Sequence, residues 1–115
     1  MRSCNHEKHL EIKNKFKNSE EYRLAVEHAS NIFSLLGEVN RMKILLALME
    51  GGLCVCHICE ITGAKQSATS QHLRKLKDGN IVKCRKEANQ VLYSISDKHI
   101  YDIIKTALEH KDCDF

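Results

Sequence analysis

At 115 residues, with 43% hydrophobic and 29% charged side chains, the chain is long enough for one modest core and too apolar to be disordered. No apolar run approaches the ~18 residues of a membrane span, and the N-terminus lacks the apolar segment of a secretory signal. We therefore expect a cytoplasmic protein without a membrane partner. In that compartment its six cysteines stay reduced, so they are better candidates for metal ligands or redox sensors than for disulfides.

Positive charge is concentrated in one part of the chain. The whole chain has a net charge of +3, but residues 64–90 hold seven basic side chains against two acidic ones, a net +5, so the remainder carries −2. A local basic patch of this kind is typical of a surface that binds phosphate groups. The basic residues of the patch are Lys65, Arg74, Lys75, Lys77, Lys83, Arg85 and Lys86.

Residues 1–18 contain few apolar positions, and we predict an N-terminal arm that is either mobile or a frayed helix. A tail without function is the simplest interpretation of this composition. Cys4, His6 and His9 argue against it, because thiolate and imidazole groups in one short arm are possible metal ligands. We place the boundary of the arm at residue 18 and predict one folded region over residues 19–115.

The folded region is predicted to begin with two helices. Ser19 followed by two acids is typical of a helix N-cap, and apolar residues then recur at helical spacing until Gly37, a natural C-terminal residue. A second helix from about residue 38 to residue 50 is apolar on most sides and should be central. Glycines at positions 51 and 52 end it.

A helix-turn-helix follows. The pattern predicts a short helix over residues 55–62, closed by Gly63, and a second helix over residues 66–78, closed by Gly79. In the second of these helices we expect the core-facing residues to be Ala68, Leu73 and Leu76.

Two β-type segments and a last helix complete the predicted fold. The strands are predicted at residues 81–85 and 90–95, with Asn89 as the residue best suited to a left-handed conformation in the turn. Ser96 and Asp97 then cap a helix over residues 98–110. We predict a mainly α fold with a small β-hairpin, a winged helix-turn-helix of about five helices.

This fold predicts a DNA-binding surface. The fourth helix would enter the major groove, where Gln is the natural partner of adenine, and the hairpin would hold backbone phosphates. His72 could instead cap the core. The candidate DNA-binding residues are Gln66, Ser67, Ser70, Gln71, His72, Arg74 and Lys75 in the helix, and Lys83, Arg85, Lys86 and Gln90 in the hairpin.

Residues 32–95 resemble the ArsR/SmtB family of metal-sensing repressors, of which the Leu-Cys-Val-Cys motif at residues 53–56 is a hallmark. Residues 93–110 are similar to the cadmium, lead and zinc sensors of that family. The resemblance implies a homodimer that represses transcription from double-stranded operator DNA and is released by a metal ion. It implies neither an enzyme nor an organic substrate. One departure is Glu38-Val39-Asn40-Arg41, where relatives often have Pro before the Arg, and we expect only a different helix start.

The last helix carries the first candidate metal site. His99 and His110 are eleven residues apart, so they share one face but lie ~16 Å apart along the axis. One ion could be held only if two such helices paired antiparallel across a dimer axis, joining Asp97 and His99 of one chain to His110 and Cys113 of the other. This set suits tetrahedral Zn²⁺ or Cd²⁺. Zinc sensors usually have Glu or His in place of Cys113. Two exposed histidines and a helix cap are the alternative.

The second candidate site is the thiol cluster Cys54, Cys56 and Cys59. Soft thiolates select soft ions and must be deprotonated to bind them. The resemblance implies either a three-thiolate As(III) site or a Cd²⁺ or Pb²⁺ site, the latter completed by Cys4 with His6 or His9 from the arm of the other subunit. A buried structural role is the alternative, above all for Cys59.

Other interpretations of the cysteines and histidines stay open. Cys56 and Cys59 have the C-x-x-C spacing of disulfide oxidoreductases, but no strand precedes them as that chemistry requires. A redox-sensing repressor of the same fold, or a metal-storage protein, would also use such thiols. We expect Cys84 to be a core residue or a bystander, and His28 and His57 to be solvated or packed.

Overall fold

The structure is a computed structural model that describes residues 5–110. The described chain forms six helices and one two-stranded antiparallel sheet. In chain order the elements are α1 (His6–Asn18), α2 (Glu20–Leu36), α3 (Val39–Leu48), α4 (Val55–Thr62), α5 (Gln66–Asp78), β1 (Val82–Glu87), β2 (Gln90–Ile95) and α6 (Lys98–Glu109). The chain divides into two compact units, one ending at Phe33 and the other beginning at Ser34.

The first unit holds α1 and most of α2. The predicted arm forms a helix, which makes six helices where about five were expected. Its start is fixed by Asn5, whose side chain accepts a hydrogen bond from the Lys8 amide at 3.1 Å, and none of its residues is buried. Ser19 caps α2 as predicted, since its hydroxyl accepts a hydrogen bond from the Tyr22 amide at 3.1 Å.

The core of the second unit is centred on α3, as its apolar sequence predicted. Ile44, Leu45 and Leu48 are buried, and α3 contacts α4, α5 and β2. The helix begins with a cap from Glu38, whose carboxylate accepts a hydrogen bond from the Arg41 amide at 2.8 Å. This bond lowers the pKa of Glu38. The departure at residues 38–41 is therefore a helix start with a charged N-cap.

The helix-turn-helix has the predicted bounds. Gly63 ends α4 in the left-handed conformation at φ 75°, which a glycine adopts without strain. Leu73 and Leu76 are fully buried as expected, but the third buried residue of α5 is Thr69, and Ala68 is exposed. The prediction for Ala68 was wrong because the buried stripe is centred one residue later on the helix.

The hairpin is longer than predicted on its first strand. Val82 pairs with Ile95, and the register ends with Glu87 opposite Gln90, so that only two residues form the turn. Ala88 takes the positive φ of 54° in this turn, a conformation predicted for its neighbour Asn89. The fold class, a mainly α winged helix-turn-helix, is nevertheless confirmed.

The last helix begins as predicted at Asp97, whose carboxylate accepts a hydrogen bond from the Ile100 amide at 3.0 Å. Ile100 and Ile104 are buried, whereas Leu108, on the same apolar face, is 44% exposed. The described part of the chain includes no helix that is long and apolar enough to cross a membrane.

Candidate metal centres and DNA-binding surface

The thiol segment is attached to the hairpin by backbone hydrogen bonds. The Leu53 amide donates to the Tyr93 carbonyl at 3.0 Å, and the Tyr93 amide donates to the Leu53 carbonyl at 2.8 Å. This pair forms an isolated bridge beside β2. Cys54 follows immediately and is the N-cap residue of α4, although its side chain makes no capping hydrogen bond. Position 54 therefore lies beside the hairpin, and its sulfur makes no capping hydrogen bond to the helix.

The three thiols of the predicted cluster differ in exposure. Cys54 and Cys59 are half-buried and Cys56 is exposed, and all three are free thiols. The structure brings Cys54 together with His57, for which no partner was predicted: the Sγ and Nδ1 atoms lie 3.4 Å apart. The spacing from a helix N-cap to its third helical residue was a signal for this pair, since such residues face each other on the first turn.

Neither predicted metal site is complete within one described chain. Among residues 5–110, no group of three His, Cys, Asp or Glu side chains is gathered closely enough to hold a metal ion. The three-thiolate site and the arm-assisted site therefore remain predictions. His6 and His9 lie one turn apart on α1 with stacked rings, 6.5 Å between centroids, whereas Cys4 is outside the described residues.

The last helix presents the two halves of its predicted site at opposite ends. At the N-terminal end the Asp97 Oδ1 atom lies 3.8 Å from the Nδ1 atom of His99, whose side chain is 93% exposed. His110 is the C-cap residue at the other end, three turns away, and Cys113 is outside the described residues. An oxygen and a nitrogen donor side by side suit a borderline ion such as Zn²⁺. Each end therefore carries only part of the predicted ligand set, which remains a prediction.

The exposed face of α5 carries most of the predicted DNA-binding residues. At ~100° per residue, Ser67, Gln71 and Arg74 lie opposite the buried stripe of Thr69 and Leu73. The candidates exposed on this helix are Gln66, Ser67, Ser70, Gln71, Arg74 and Lys75. A helix that binds in a DNA groove requires an exposed polar face opposite its buried face.

His72 differs from the other candidates on α5. The residue as a whole is half-buried, but its Nδ1 atom is fully buried and has no hydrogen-bond partner among the described residues. The imidazole ring lines a small cavity together with Asn40 and Ile44 of α3. The ring also lies close enough to Glu38 to contribute to the lowered pKa of that carboxyl. This position agrees better with the core-capping alternative than with a contact to a base.

The predicted phosphate-binding residues of the hairpin are all exposed but lie on two faces. Because directly opposite residues share a face of the sheet, Lys83, Arg85 and Gln90 lie on one side and Lys86 on the other. Arg85 forms an ion pair with Glu87 at 3.0 Å, which was not predicted from the sequence. The positive charge of the hairpin is therefore partly neutralised at Arg85.

Cys84 lies on the inner face of the hairpin, where it is half-buried. Its thiol is beside Lys77 of α5, and the hydrogen bond between them raises the pKa of the Lys77 ammonium. This contact joins α5 to the hairpin. It agrees with the expectation that Cys84 is a packing residue and not part of the thiol cluster.

Comparison with known proteins identifies the family. Residues 38–83 match the family model described as bacterial regulatory protein, arsR family. The chain is 37% identical over 83 residues to the cadmium resistance transcriptional regulatory protein CadC homolog of Staphylococcus aureus. The aligned region covers 71% of this chain and 69% of that protein. It is 30% identical over 84 residues to the transcriptional repressor SmtB homolog of Synechocystis, with 73% of this chain and 64% of the relative covered.

The fold has solved counterparts. NolR from Sinorhizobium fredii superimposes with a TM-score of 0.72 at 32% identity, covering 82% of this chain and 93% of the other. The matched family and the two relatives are transcriptional regulators, which agrees with the expectation of a regulator and not an enzyme. The chain therefore belongs to the arsR family of bacterial regulatory proteins and is a winged-helix transcriptional regulator.

Proposed function

We propose that this protein is a dimeric repressor that a thiophilic or borderline divalent metal ion, Zn²⁺, Cd²⁺ or Pb²⁺, releases from operator DNA in the cytoplasm. One observation carries the proposal. Both groups of candidate ligands are attached to β2: Cys54 follows the Leu53–Tyr93 bridge, and Asp97 lies two residues after the end of the strand at Ile95. Any movement of either ligand group on metal binding would therefore be passed to the hairpin.

DNA binding would use the two exposed surfaces already described. The polar face of α5 would lie in the major groove, where a Gln amide such as that of Gln71 can make two hydrogen bonds to adenine. The hairpin cations, Lys83, Arg85 and Lys86, would lie along the sugar-phosphate backbone. The pair of backbone hydrogen bonds between Leu53 and Tyr93 would hold that hairpin beside the helix-turn-helix.

Dimerisation would bury apolar side chains that the single chain leaves exposed. Leu36 is the only buried residue of α2, although Leu24 is 52% exposed and Phe33 is 62% exposed. Leu108 of α6 is similarly exposed. We propose that α2 and α6 pair with their counterparts in a second chain. A twofold axis would then place two recognition helices in successive major grooves, ~34 Å apart.

The choice of inducer follows from the donor atoms. Thiolate, imidazole and carboxylate groups together suit Zn²⁺ and Cd²⁺, and the matched Staphylococcus relative is a cadmium resistance regulator. The alternative inducer, As(III), would need Cys54, Cys56 and Cys59 to converge on one ion. Within residues 5–110 neither candidate site is complete, so the preference for a divalent ion rests on the mixed donor atoms and on the cadmium resistance relative.

Release from DNA requires coupling between the metal site and the DNA-binding surface. A coupling free energy of about 1–3 kcal/mol changes the DNA affinity by about 5–150-fold. Metal that bridges two chains through α6, or that draws Cys54 and its neighbours together on α4, would favour a dimer geometry in which the two recognition helices no longer match successive grooves.

The test is a fluorescence-anisotropy titration of the reduced dimer on its own upstream DNA, with Zn²⁺, Cd²⁺, Pb²⁺ and As(III) added in turn. If Zn²⁺ or Cd²⁺ releases the wild type but not His99→Ala, the α6 site regulates binding. Loss of the response only in Cys56→Ser would assign control to the thiols. If no ion changes the DNA affinity at any salt concentration, the metal-sensing proposal is wrong. Release by oxidation that a reductant reverses would then identify a redox sensor.

A further inference from the structure

We propose that His57 is a metal ligand and that its Nδ1 atom and the Cys54 sulfur form a chelating pair at the start of α4. This inference rests on the proposed function, because it adds a ligand to the thiol site of the metal sensor. The supporting observation is the close approach of the two side chains, with Sγ and Nδ1 3.4 Å apart. The Leu-Cys-Val-Cys motif includes Cys54 but ends at Cys56, so the role of His57 does not follow from it.

The distance between the two donors fits coordination to one ion. In a tetrahedral site, bonds of about 2.3 Å to sulfur and about 2.0–2.1 Å to nitrogen hold the two donor atoms about 3.5 Å apart. The observed separation of 3.4 Å is therefore close to the bite that a Zn²⁺ ion requires. The ion could enter this pair with only a small adjustment of either side chain.

In the metal-free chain the two groups are within hydrogen-bond distance of each other, and neither stabilises the start of the helix. An N-cap residue usually stabilises its helix by accepting a hydrogen bond from the first turn, but the Cys54 side chain makes no such bond. The His57 side chain is exposed, so it does not fill the core. A half-buried thiol that does not cap its helix and an exposed imidazole beside it are suited to share one metal ion.

The backbone around the pair is already ordered. The Leu53 amide and carbonyl are both bonded to Tyr93, and the Ile58 amide donates to the Cys54 carbonyl at 3.1 Å. Little conformational entropy would remain to be lost on binding, which favours affinity. The pair occupies two of four tetrahedral positions and leaves the others to further donors, with Cys56 the nearest thiol in sequence.

The imidazole has a consequence for selectivity. Imidazole suits Zn²⁺ and other borderline ions, whereas a site built from thiolates alone favours softer ions. A Cys54–His57 pair would therefore bias the thiol site towards Zn²⁺ and Cd²⁺ and away from As(III). The His57→Asn variant, which keeps a polar side chain of similar reach, should lose more affinity for Zn²⁺ than for As(III).

The experiment is a titration of the reduced full-length protein with Zn²⁺, followed by ¹H–¹⁵N spectra of the histidine rings. We expect the Nδ1 signal of His57 to shift at one equivalent per chain. His57→Asn should bind Zn²⁺ at least ~10-fold more weakly in competition with a chromophoric chelator, since even indirect partners of metal ligands contribute 10–100-fold. The matched control, His28→Asn, replaces another exposed histidine and should retain the wild-type affinity.

A Co²⁺ titration separates the possible failures. If His57→Asn keeps the thiolate-to-metal charge-transfer band, the metal-free DNA affinity and the helical circular dichroism but binds Zn²⁺ more weakly, the inference is supported. If the His57 ring signals do not move while the thiolate band forms, the site uses thiols without His57, and the inference falls while the proposed function stands. If neither a thiolate band nor metal-dependent DNA release appears, metal sensing at the thiols falls as well.

Discussion

The replacement of Lys86 by Gln tests whether the hairpin binds phosphate groups. Lys86 lies near the tip of the hairpin, which projects away from the core. Val91, opposite Lys86, is 43% exposed, whereas Val82 at the base of the hairpin is 2% exposed. Its ammonium group forms no ion pair within residues 5–110. A cation in this position is free to displace a counterion from DNA.

The expected magnitude follows from counterion release. Each phosphate contact contributes about −0.9 to the slope of log K against log [salt], and a dimer has two hairpins, so Lys86→Gln should make the slope less negative by about 1.8. Between 50 and 200 mM salt, the ratio of wild-type to variant affinity should therefore shrink by about 12-fold. Fluorescence anisotropy with the metal-free dimer at four or more salt concentrations measures both quantities.

The matched control is Lys105→Gln on α6. It removes the same charge from the chain but replaces a lysine whose partner is Glu109, at 4.0 Å, outside the helix-turn-helix and the hairpin. We expect its salt slope to equal that of the wild type. If Lys86→Gln and Lys105→Gln change the slope equally, only the net charge matters and the hairpin does not contact the backbone.

Three further predictions concern the stability of the second unit, and each is tested by the free energy of unfolding in urea. Thr69→Val should stabilise the protein by about 1 kcal/mol, because the buried Thr69 hydroxyl has no hydrogen-bond partner among the described residues; destabilisation would mean that it has one. Glu38→Ala should destabilise it at pH 7. The hydrogen bond from the Arg41 amide lowers the pKa of Glu38 below 4.5. The stability that the Glu38 carboxylate contributes is therefore present above pH 4.5 and is lost as the pH falls through the folded-state pKa. If Glu38→Ala were still less stable than the wild type at pH 2, the cap would be contradicted. Gly79→Ala should cost about 1–3 kcal/mol, because a Cβ atom there would lie 2.2 Å from the Leu35 Cδ1 atom; an unchanged midpoint would show that Leu35 moves aside freely.

Much of the fold could be predicted from the sequence because its signals are local. The bounds of α4 and α5 follow from helical periodicity and from glycines at their ends, and the caps at Ser19 and Asp97 lie where the sequence indicated. Errors arose where tertiary contacts decide. Helical spacing did not distinguish Ala68 from Thr69 as the buried residue, and the two-residue turn forces Ala88 into a conformation that residue preference assigns to Asn89.

The candidate site was less accessible to sequence analysis. Spacing predicted that His99 and His110 are too far apart to hold one ion within a chain, and the structure places them at opposite ends of α6. The contact between His57 and Cys54 was not predicted, because it depends on the side-chain rotamers of two residues at the start of α4. The bridge between Leu53 and Tyr93 was also missed, because a single pair of backbone hydrogen bonds leaves no pattern in side-chain chemistry.

The most direct test of the central claim is the Cd²⁺ affinity of the free dimer compared with that of the dimer saturated with operator DNA, both measured by competition with a fluorescent chelator. Linkage requires that a metal which weakens DNA binding be weakened by DNA to the same degree. We predict that operator DNA lowers the Cd²⁺ affinity by the same factor by which Cd²⁺ lowers the DNA affinity, about 5–150-fold. Equal Cd²⁺ affinities in the free and DNA-bound dimer would contradict the claim that metal controls release.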